Sequence, residues 1–413
     1  MRPSLFLLFV VGLLLSCQQK TSQQQPPSSV RLPSEFEQQA AVWVLWPTIE
    51  HVADMPNRAV TIALIDSLLP YVAVKLVCPN DSVSASAKSY ISAKTLANKQ
   101  FTLLSLDYEG FWARDMGPAF VFVNGQKSIA DHSFNNWGGA DSVACQRDES
   151  LDELVAAKFG LPIYSSSIIC EGGNHETDGV GTLMATLTVE KQRNPTLSQQ
   201  QIEEKYRALF GIKQFIWLNK GVHEDDFSWE SPIEGPNGQQ VYTLLTTGGH
   251  IDEYARFADA NTILLAEVDS SDLATDPIAR ENLIRINENL KIIQAARTPD
   301  GKPYRIIRMP MPRSIVRQLS PKDPTYSILS SLTYTKKPFP TGKPILGVAA
   351  TSYLNFLITN GVVIAQKYNQ DRDQKAKNIL ETAFPGRKII MIDALRINLG
   401  GGGIHCITMH EPK

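Results

Sequence analysis

Residues 262–293 read TILLAEVDSSDLATDPIARENLIRINENLKII. Residues 262–268 form an unbroken β-rich run. Further on, apolar side chains recur at Leu283, Ile286, Leu290 and Ile293, the spacing that places them on one face of a helix. A strand followed by an amphipathic helix is the unit of an alternating chain. Working outward, the same two signatures recur. Residues 42–46, 72–77, 119–123, 362–366 and 388–392 read as strands. Ile202, Tyr206, Leu209 and Phe210 form a second helical stripe, and Ser198 with Gln201 has the form of a capping box at its start. Residues 373–384 read as a third helix, stopped by Pro385-Gly386. This alternation predicts an α/β or α+β architecture. No Pro/Ser/Gly-rich linker interrupts residues 35–410, so residues 35–413 are expected to form one folded domain. No repeat of fixed period is visible.

The 413 residues carry 40 Lys+Arg against 42 Asp+Glu, a net charge of -2, and 43% of them are hydrophobic. That balance excludes a disordered chain. It shows no basic excess of the kind that marks nucleic-acid binding. Five cysteines are too few and too scattered for a disulfide scaffold.

Residues 1–16 read as an export signal. Arg2 precedes an apolar run over residues 5–15 that is shorter than the roughly 20 residues a spanning helix needs. The run ends in Leu14-Leu15-Ser16-Cys17, which resembles a bacterial lipoprotein cleavage box and implies cleavage before Cys17 and lipid on its thiol. The alternative is an ordinary cleaved signal beside an incidental cysteine. Residues 17–34 are Gln/Ser/Pro-rich and are expected to be a flexible tether from lipidated Cys17. The implied location is the bacterial cell envelope.

Four segments place reactive or charged side chains beside glycines or at an element edge. They are Trp112-Ala113-Arg114-Asp115-Met116-Gly117-Pro118, then Cys170-Glu171-Gly172-Gly173-Asn174 with Asp178-Gly179. Gly248-Gly249-His250-Ile251-Asp252 follows, and Gly400 to Gly403 with Ile404-His405-Cys406 closes the series. Glycine permits close approach of backbone to ligand. Together, a cysteine, a histidine and several carboxylates are the parts for nucleophilic attack on a cation. A thiol is reactive as its thiolate, and its free pKa of about 8.5 leaves little ionised at neutral pH without a neighbouring positive charge. A guanidinium stays protonated below about pH 12, is planar, and presents a fork of N–H donors that fits carboxylates. Acidic side chains grouped around one cysteine therefore suggest a guanidinium pocket.

WARDMGP, CEGGN…DG, GHIDEYARF and GGGGIHCIT, with NPTLS and FNNWGG between them, resemble in content and order the agmatine deiminase family, which also contains the Porphyromonas-type peptidylarginine deiminases. The resemblance runs from about Ala40 to Pro412. It implies the pentein fold, an α/β propeller of five ββαβ units with pseudo-fivefold symmetry, for a single deiminase domain. It implies Cys406 as nucleophile and His250 as general acid/base. It implies Asp115 and Asp252 as the guanidinium clamp, and Glu171 as the residue that orients His250. Trp112, Trp137 and Asn355 fall where the family makes substrate contacts. His405 has either a direct role or a loop-anchoring one. No metal or organic cofactor is implied, and a homodimer is a possible assembly. Two substrates fit: agmatine, converted to N-carbamoylputrescine and ammonia, or a C-terminal arginine, converted to citrulline. FNNWGG resembles the agmatine branch. HETDG after EGG, and Gly403 where the family is expected to carry Asn, depart from it.

Two other classes compete. A zinc hydrolase would need a second histidine after His175-Glu176, where Gly179 stands, and no C-x-x-C pair occurs. A lipid-anchored guanidine-binding protein without catalysis would account for the tether and the acidic pocket. Cys170 competes with Cys406 as a reactive thiol, and the pairing of Cys78, Cys145 and Cys170 is open.

Overall fold

The computed structural model describes residues 29–139 and 145–413. The expected leader, the lipidation site Cys17 and the tether as far as residue 28 lie outside these residues. The end of the expected tether belongs to the folded body. Val30–Arg31 is a strand paired antiparallel with Ala119–Val123, and Leu32 N–H donates to the Phe210 carbonyl. Ser34 is buried and its amide donates to Glu37 at 2.9 Å. The body thus begins ahead of the expected boundary at residue 35, because these backbone groups find partners in the fold.

The stretch 262–293 forms strand Thr262–Glu267 and helix Pro277–Ala295. Asp276 caps the helix by accepting from Ile278 N–H, and Pro277 sits in the first turn, where its missing N–H costs nothing. Ile286 and Ile293 are buried, while Leu283 and Leu290 are half-buried. The buried face also carries Asn282, Arg285 and Asn289. These three hold the loop at residues 219–226. Asn289 accepts from Asn219 N–H and donates to the Lys220 carbonyl. Arg285 donates to the Gly221 carbonyl and to Asp226. Asn282 accepts from His223 N–H and donates to Glu224. Apolar periodicity finds this helix but misses its second, polar attachment.

Sheet pairing gives the chain a mixed α/β architecture, with six sheets among the described residues. One local pattern occurs five times: an antiparallel strand pair, then a helix, then a third strand parallel to the second. Ala255–Asp259, Thr262–Glu267, Pro277–Ala295 and Arg305–Pro310 are one example. A second runs Leu357–Thr359, Val362–Lys367, Arg372–Ala383, Lys388–Asp393. A third runs Ala119–Val123, Gln126–Ser133, Leu151–Phe159, Ile163–Ile169. A fourth runs Glu176–Thr177, Thr182–Thr186, Gln199–Phe210, Gln214–Leu218. In the fifth, the last strand of the chain, Thr408–Pro412, pairs with Gln39–Leu45, and helix Arg58–Leu68 and strand Ala73–Cys78 follow. The sixth sheet joins Ile233–Glu234, Gln240–Thr243, Ile345–Val348 and Val316–Leu319.

The capping box at Ser198 and Gln201 forms as the sequence predicts. The cores join neighbouring units, one cluster combining Val42, Leu64 and Val74 with Phe120, Val155 and Ile364. Leu64 and Leu68 bury against Val42, Val44, Val74 and Leu76, and Leu64→Ala would cost about 2–5 kcal/mol. Ile286 and Ile293 bury with Phe257, Ile263 and Leu265. Among the described residues no helix is long and apolar enough to cross a membrane.

Candidate active site

The predicted site residues share one structural address. Asp115 lies just before strand Ala119–Val123, Glu171 before Glu176–Thr177, and His250 and Asp252 before Ala255–Asp259. Asn355 lies before Leu357–Thr359 and Cys406 before Thr408–Pro412. Each is on the segment that enters the first strand of one of the five units. Residues nearly 300 positions apart in sequence therefore meet in one place.

Cys406 Sγ lies 3.6 Å from Asp252 Oδ2 and 3.2 Å from Asn355 Nδ2. His405 Nδ1 is 2.7 Å from the same Asp252 oxygen, and its Nε2 is 3.1 Å from Glu35 Oε2. Both ring nitrogens of His405 are thus engaged by carboxylates. Asp252 Oδ1 has no hydrogen-bond partner although it is buried.

His250 packs against two carboxylates. Its Nε2 is 3.3 Å from Glu171 Oε2, and its Nδ1 is 3.9 Å from Asp115 Oδ1 with no hydrogen bond. Asp115 itself accepts from Trp137 Nε1 at 2.9 Å and from Gly173 N–H at 2.8 Å. A Cβ on Gly173 would stand 2.5 Å from His250 Nδ1 and 2.8 Å from Asp115 Oδ1, so the close meeting of acid and imidazole depends on a glycine there. Glu171 is held from behind by Arg193 Nε at 2.7 Å, and Arg193 also donates to the Thr247 carbonyl.

The charges follow from this packing. Burial alone would lower the His250 pKa, but Asp115, Glu171 and Asp252 outweigh it and raise it to about 9. Burial would raise Glu171; Arg193 and His250 reverse that and bring it to about 2. Burial, then Asp252, Glu253 and Asp115, hold the Cys406 thiol well above its ordinary value. Without a bound cation the sulfur keeps its proton, and Asp252 is its neighbouring acceptor. An imidazolium at 250 with an unpartnered Nδ1–H is set up to donate, and a guanidinium between Asp115 and Cys406 would favour the thiolate by direct charge attraction.

A cavity of about 310 Å³ opens onto Cys406. Trp112, Asp115, Trp137, Thr247, Gly400 and Gly401 are part of its lining. The Trp112 and Trp137 rings stand at 87° to one another, and Trp112 stacks on His51 and Phe111. Trp137 and Leu245, both on the wall, have φ of 54° and 48°. That region is costly for bulky side chains and is met at functional sites. Of its other acids Glu109 is exposed and Asp148 half-buried, and no Lys or Arg lines the cavity among the described residues.

Of the predicted residues, Cys406, Asp115, Trp112 and Trp137 line the cavity. His250, Asp252 and Glu171 are fully enclosed behind them. Asn355 is buried against the sulfur, with its amide engaged by His405 N–H, Glu253 and Cys406. Gly403 is explained by the same side chain. A Cβ there would lie 2.4 Å from Asn355 Oδ1 and 2.5 Å from Gln366 Nε2.

Cys170 is buried away from the cavity, and burial with Glu190 and Glu171 holds its thiol well above the ordinary value. Burial holds Cys78 up at about 11. Cys145 lines the cavity and donates to the Phe134 carbonyl. His175 meets Tyr206 and Glu190, and Glu176 meets Arg256, so the zinc reading of that pair has no basis. Glu35, Glu176 and His405 cluster tightly enough to hold a cation, but Arg256 already bridges the two glutamates and Arg114 reaches Glu35. Asp252, Glu253 and Cys406 also lie within reach of one another, around the sulfur that the cavity exposes.

Sequence reading passed over Glu35, Arg193, Asp225, Glu253 and Arg256. Arg256 had a signal: an arginine inside the apolar run Tyr254-Ala255-Arg256-Phe257 must find buried anions. Arg193, just ahead of NPTLS, and Asp225 had none.

The profile of the Porphyromonas-type peptidyl-arginine deiminase family matches residues 31–231 and 236–412. The agmatine deiminase of Stutzerimonas stutzeri (strain A1501) is 29% identical over 393 residues, covering 92% of this chain and 95% of its own. That of Pseudomonas aeruginosa (strain LESB58) is 28% identical over 405 residues, covering 92% and 95%. In fold, the agmatine deiminase of Enterococcus faecalis superposes with a TM-score of 0.72 at 23% identity, over 93% of this chain and 96% of that one. The C. jejuni agmatine deiminase gives 0.65 at 21%, over 93% and 96%. The profile spans the same segments that converge on Cys406, and by that match the chain belongs to the Porphyromonas-type peptidyl-arginine deiminase family.

Proposed function

We propose that the protein hydrolyses the guanidinium group of a small dication, agmatine, to N-carbamoylputrescine and ammonia. The observation that carries this choice of substrate is the sign of the cavity. Its described lining offers Asp115, Glu109 and Asp148, with no Lys or Arg. An amine tail would meet acids there, whereas the carboxylate of a C-terminal arginine would meet no cation. Arg147 lies nearby, tied to Asp107 and 3.7 Å from Glu109, which leaves Asp115 and Asp148 as the lining acids without an arginine partner among the described residues. The full-length similarity to agmatine deiminases supports the same substrate.

The steps follow from the residues. Guanidinium binding beside Asp115 and Asp252 lowers the cost of ionising Cys406, whose proton leaves by way of Asp252. The thiolate attacks the guanidinium carbon and an S–C bond forms. His250 Nδ1–H protonates one nitrogen, the C–N bond breaks, and ammonia departs. The amidino-cysteine that remains is attacked by water, whose proton passes to the now neutral His250. The S–C bond breaks and the ureido product leaves. Acid/base help of this kind contributes typically ~10²–10⁴-fold. A cysteine that forms and then releases the S–C bond separates this reading from a non-catalytic binding protein.

The five-unit propeller is part of the proposal, supported by the five repeated strand–strand–helix–strand segments and by pairing of the last strand with Gln39–Leu45. So are a lipid anchor at Cys17 in the bacterial envelope, supported by the leader sequence, and a homodimer. Membrane fractionation of wild type and Cys17→Ser tests the anchor.

Ureido-product formation from agmatine, free arginine and a C-terminal-arginine peptide, measured in parallel, tests the function. Agmatine should show the highest kcat/KM, and Cys406→Ala should abolish turnover while preserving the circular dichroism spectrum. A peptide preferred over agmatine would overturn the substrate, and turnover by Cys406→Ala would overturn the mechanism.

A further inference from the structure

Glu253 is a carboxylic acid with little to do on the surface and much beside the nucleophile. It is 4% exposed and makes no ion pair among the described residues. Its Oε1 accepts from Asn355 Nδ2 at 3.0 Å, and its Oε2 is buried with no hydrogen-bond partner. Asn355 is fixed at its other end too, because its Oδ1 accepts from His405 N–H at 2.9 Å. With the carbonyl end spent, the amide nitrogen divides its two hydrogens between Glu253 and the Cys406 sulfur, 3.2 Å away.

We propose that Glu253 is a positioning residue that acts through Asn355, locking its amide so that one N–H always points at Cys406 Sγ. A donor held on the sulfur favours the thiolate over the thiol. The proposal rests on Cys406 being the nucleophile of the reaction set out above. For the lock to help, Glu253 must be uncharged, since a second anion beside Asp252 would oppose the thiolate. The groups facing it explain why it is neutral. Burial dominates, and Asp252 on its own turn with Glu224 and Asp225 from the neighbouring loop add to it, while Arg256 on the following strand offsets only part. These hold the acid well above the carboxylate range. Tyr368 and Cys406 also face it.

The test uses the full chain and iodoacetamide, a neutral reagent that needs no guanidine. The rate of Cys406 alkylation is followed by mass spectrometry from pH 7 to 10. Glu253→Ala and Asn355→Ala should each slow alkylation at pH 8 about tenfold, as expected for losing a hydrogen bond to a charged group. The double variant should be no slower than either alone. Glu253→Gln keeps an acceptor for Asn355 and should restore the rate to within about twofold. Faster alkylation in Glu253→Gln would reveal an ionised Glu253 and overturn the proposal. Additive losses in the double variant, or an unchanged rate in Asn355→Ala, would overturn it as well. If Glu253→Ala does not fold, Glu253→Gln and Asn355→Ala still decide. Because no substrate enters, this outcome is independent of whether agmatine is turned over.

Discussion

Asp225 holds His250 by its backbone, without touching its ring. Asp225 Oδ2 accepts from the His250 amide at 3.2 Å and from the Gly249 amide at 2.9 Å, and Oδ1 accepts from the Thr247 amide at 2.8 Å. Gly248 and Gly249 have φ of 89° and 108°, and the Asp225 carboxylate fills the inside of the turn they make. Asp225 is carried by the loop that Asn282, Arg285 and Asn289 fasten to helix Pro277–Ala295. The position of His250, the proposed acid/base residue, therefore depends on the polar face of a distant helix.

Asp225→Ala removes the acceptor for three buried amides, each costing about 1–3 kcal/mol if left unsatisfied. The expected result is a clear drop in melting temperature and at least a tenfold loss of kcat, as expected when a catalytic group shifts. Thermal unfolding and steady-state kinetics measure the two. Unchanged kcat would mean that the turn holds His250 without Asp225.

The His250 charge makes stability depend on pH with a definite sign. Its folded pKa of about 9 lies above the unfolded value, so its contribution is fully present below about pH 6.5 and fades as pH rises through 9. The shift is worth on the order of 3 kcal/mol. Glu171, held at about 2, works oppositely: its contribution is present above about pH 4.5 and is lost as pH falls through 2. Urea unfolding of wild type and His250→Gln at pH 6, 8 and 10 tests this. The gap between them should shrink toward pH 10, and a constant gap would contradict a charged His250. Asp115→Asn removes the charge that does most to raise His250, so the alkaline limb of kcat/KM should move to lower pH.

Gly173→Ala probes the contact between His250 and Asp115. The added methyl cannot avoid both His250 Nδ1 and Asp115 Oδ1. Overpacking of this kind costs about 1–3 kcal/mol, so the protein should fold. Moving either group by an ångström should lower kcat about 10²-fold. A variant with wild-type kcat would show that the two groups need not meet.

What the sequence disclosed was set by the distance over which each signal acts. Helix Gln199–Phe210 and its capping box were legible because the partners are neighbours in the chain. Cys406 and the acids that gather around it were legible through glycine-flanked motifs. The fivefold local pattern was hidden, because helix and loop lengths differ from unit to unit and no period survives. Asp225, Arg193 and Glu35 were hidden for another reason. Each is an ordinary charged residue until folding places it against the amides of residues 247–250, Glu171, or His405 and Arg256. For Asn355 the motif gave the neighbourhood, and only the bond from His405 N–H turns its amide to the sulfur.

The outer part of the cavity should set the choice between an amine and a carboxylate tail. Asp148 is fixed there by the amides of Glu109 and Gly110, at 2.6 Å and 3.1 Å, and the Glu109 side chain is exposed beside it. Partly exposed charges act through high-dielectric solvent, so each is worth about 1 kcal/mol or less toward an ammonium. Glu109→Gln should therefore raise KM for agmatine a few-fold with little change in kcat, and the effect should shrink as salt is raised. Glu109→Lys should weaken agmatine further while improving free arginine relative to it. Competing the two substrates in one reaction gives the ratio directly. If the ratio is the same in all three proteins, the tail does not lie against Glu109, and the selectivity must come from the inner walls formed by Trp112 and Trp137.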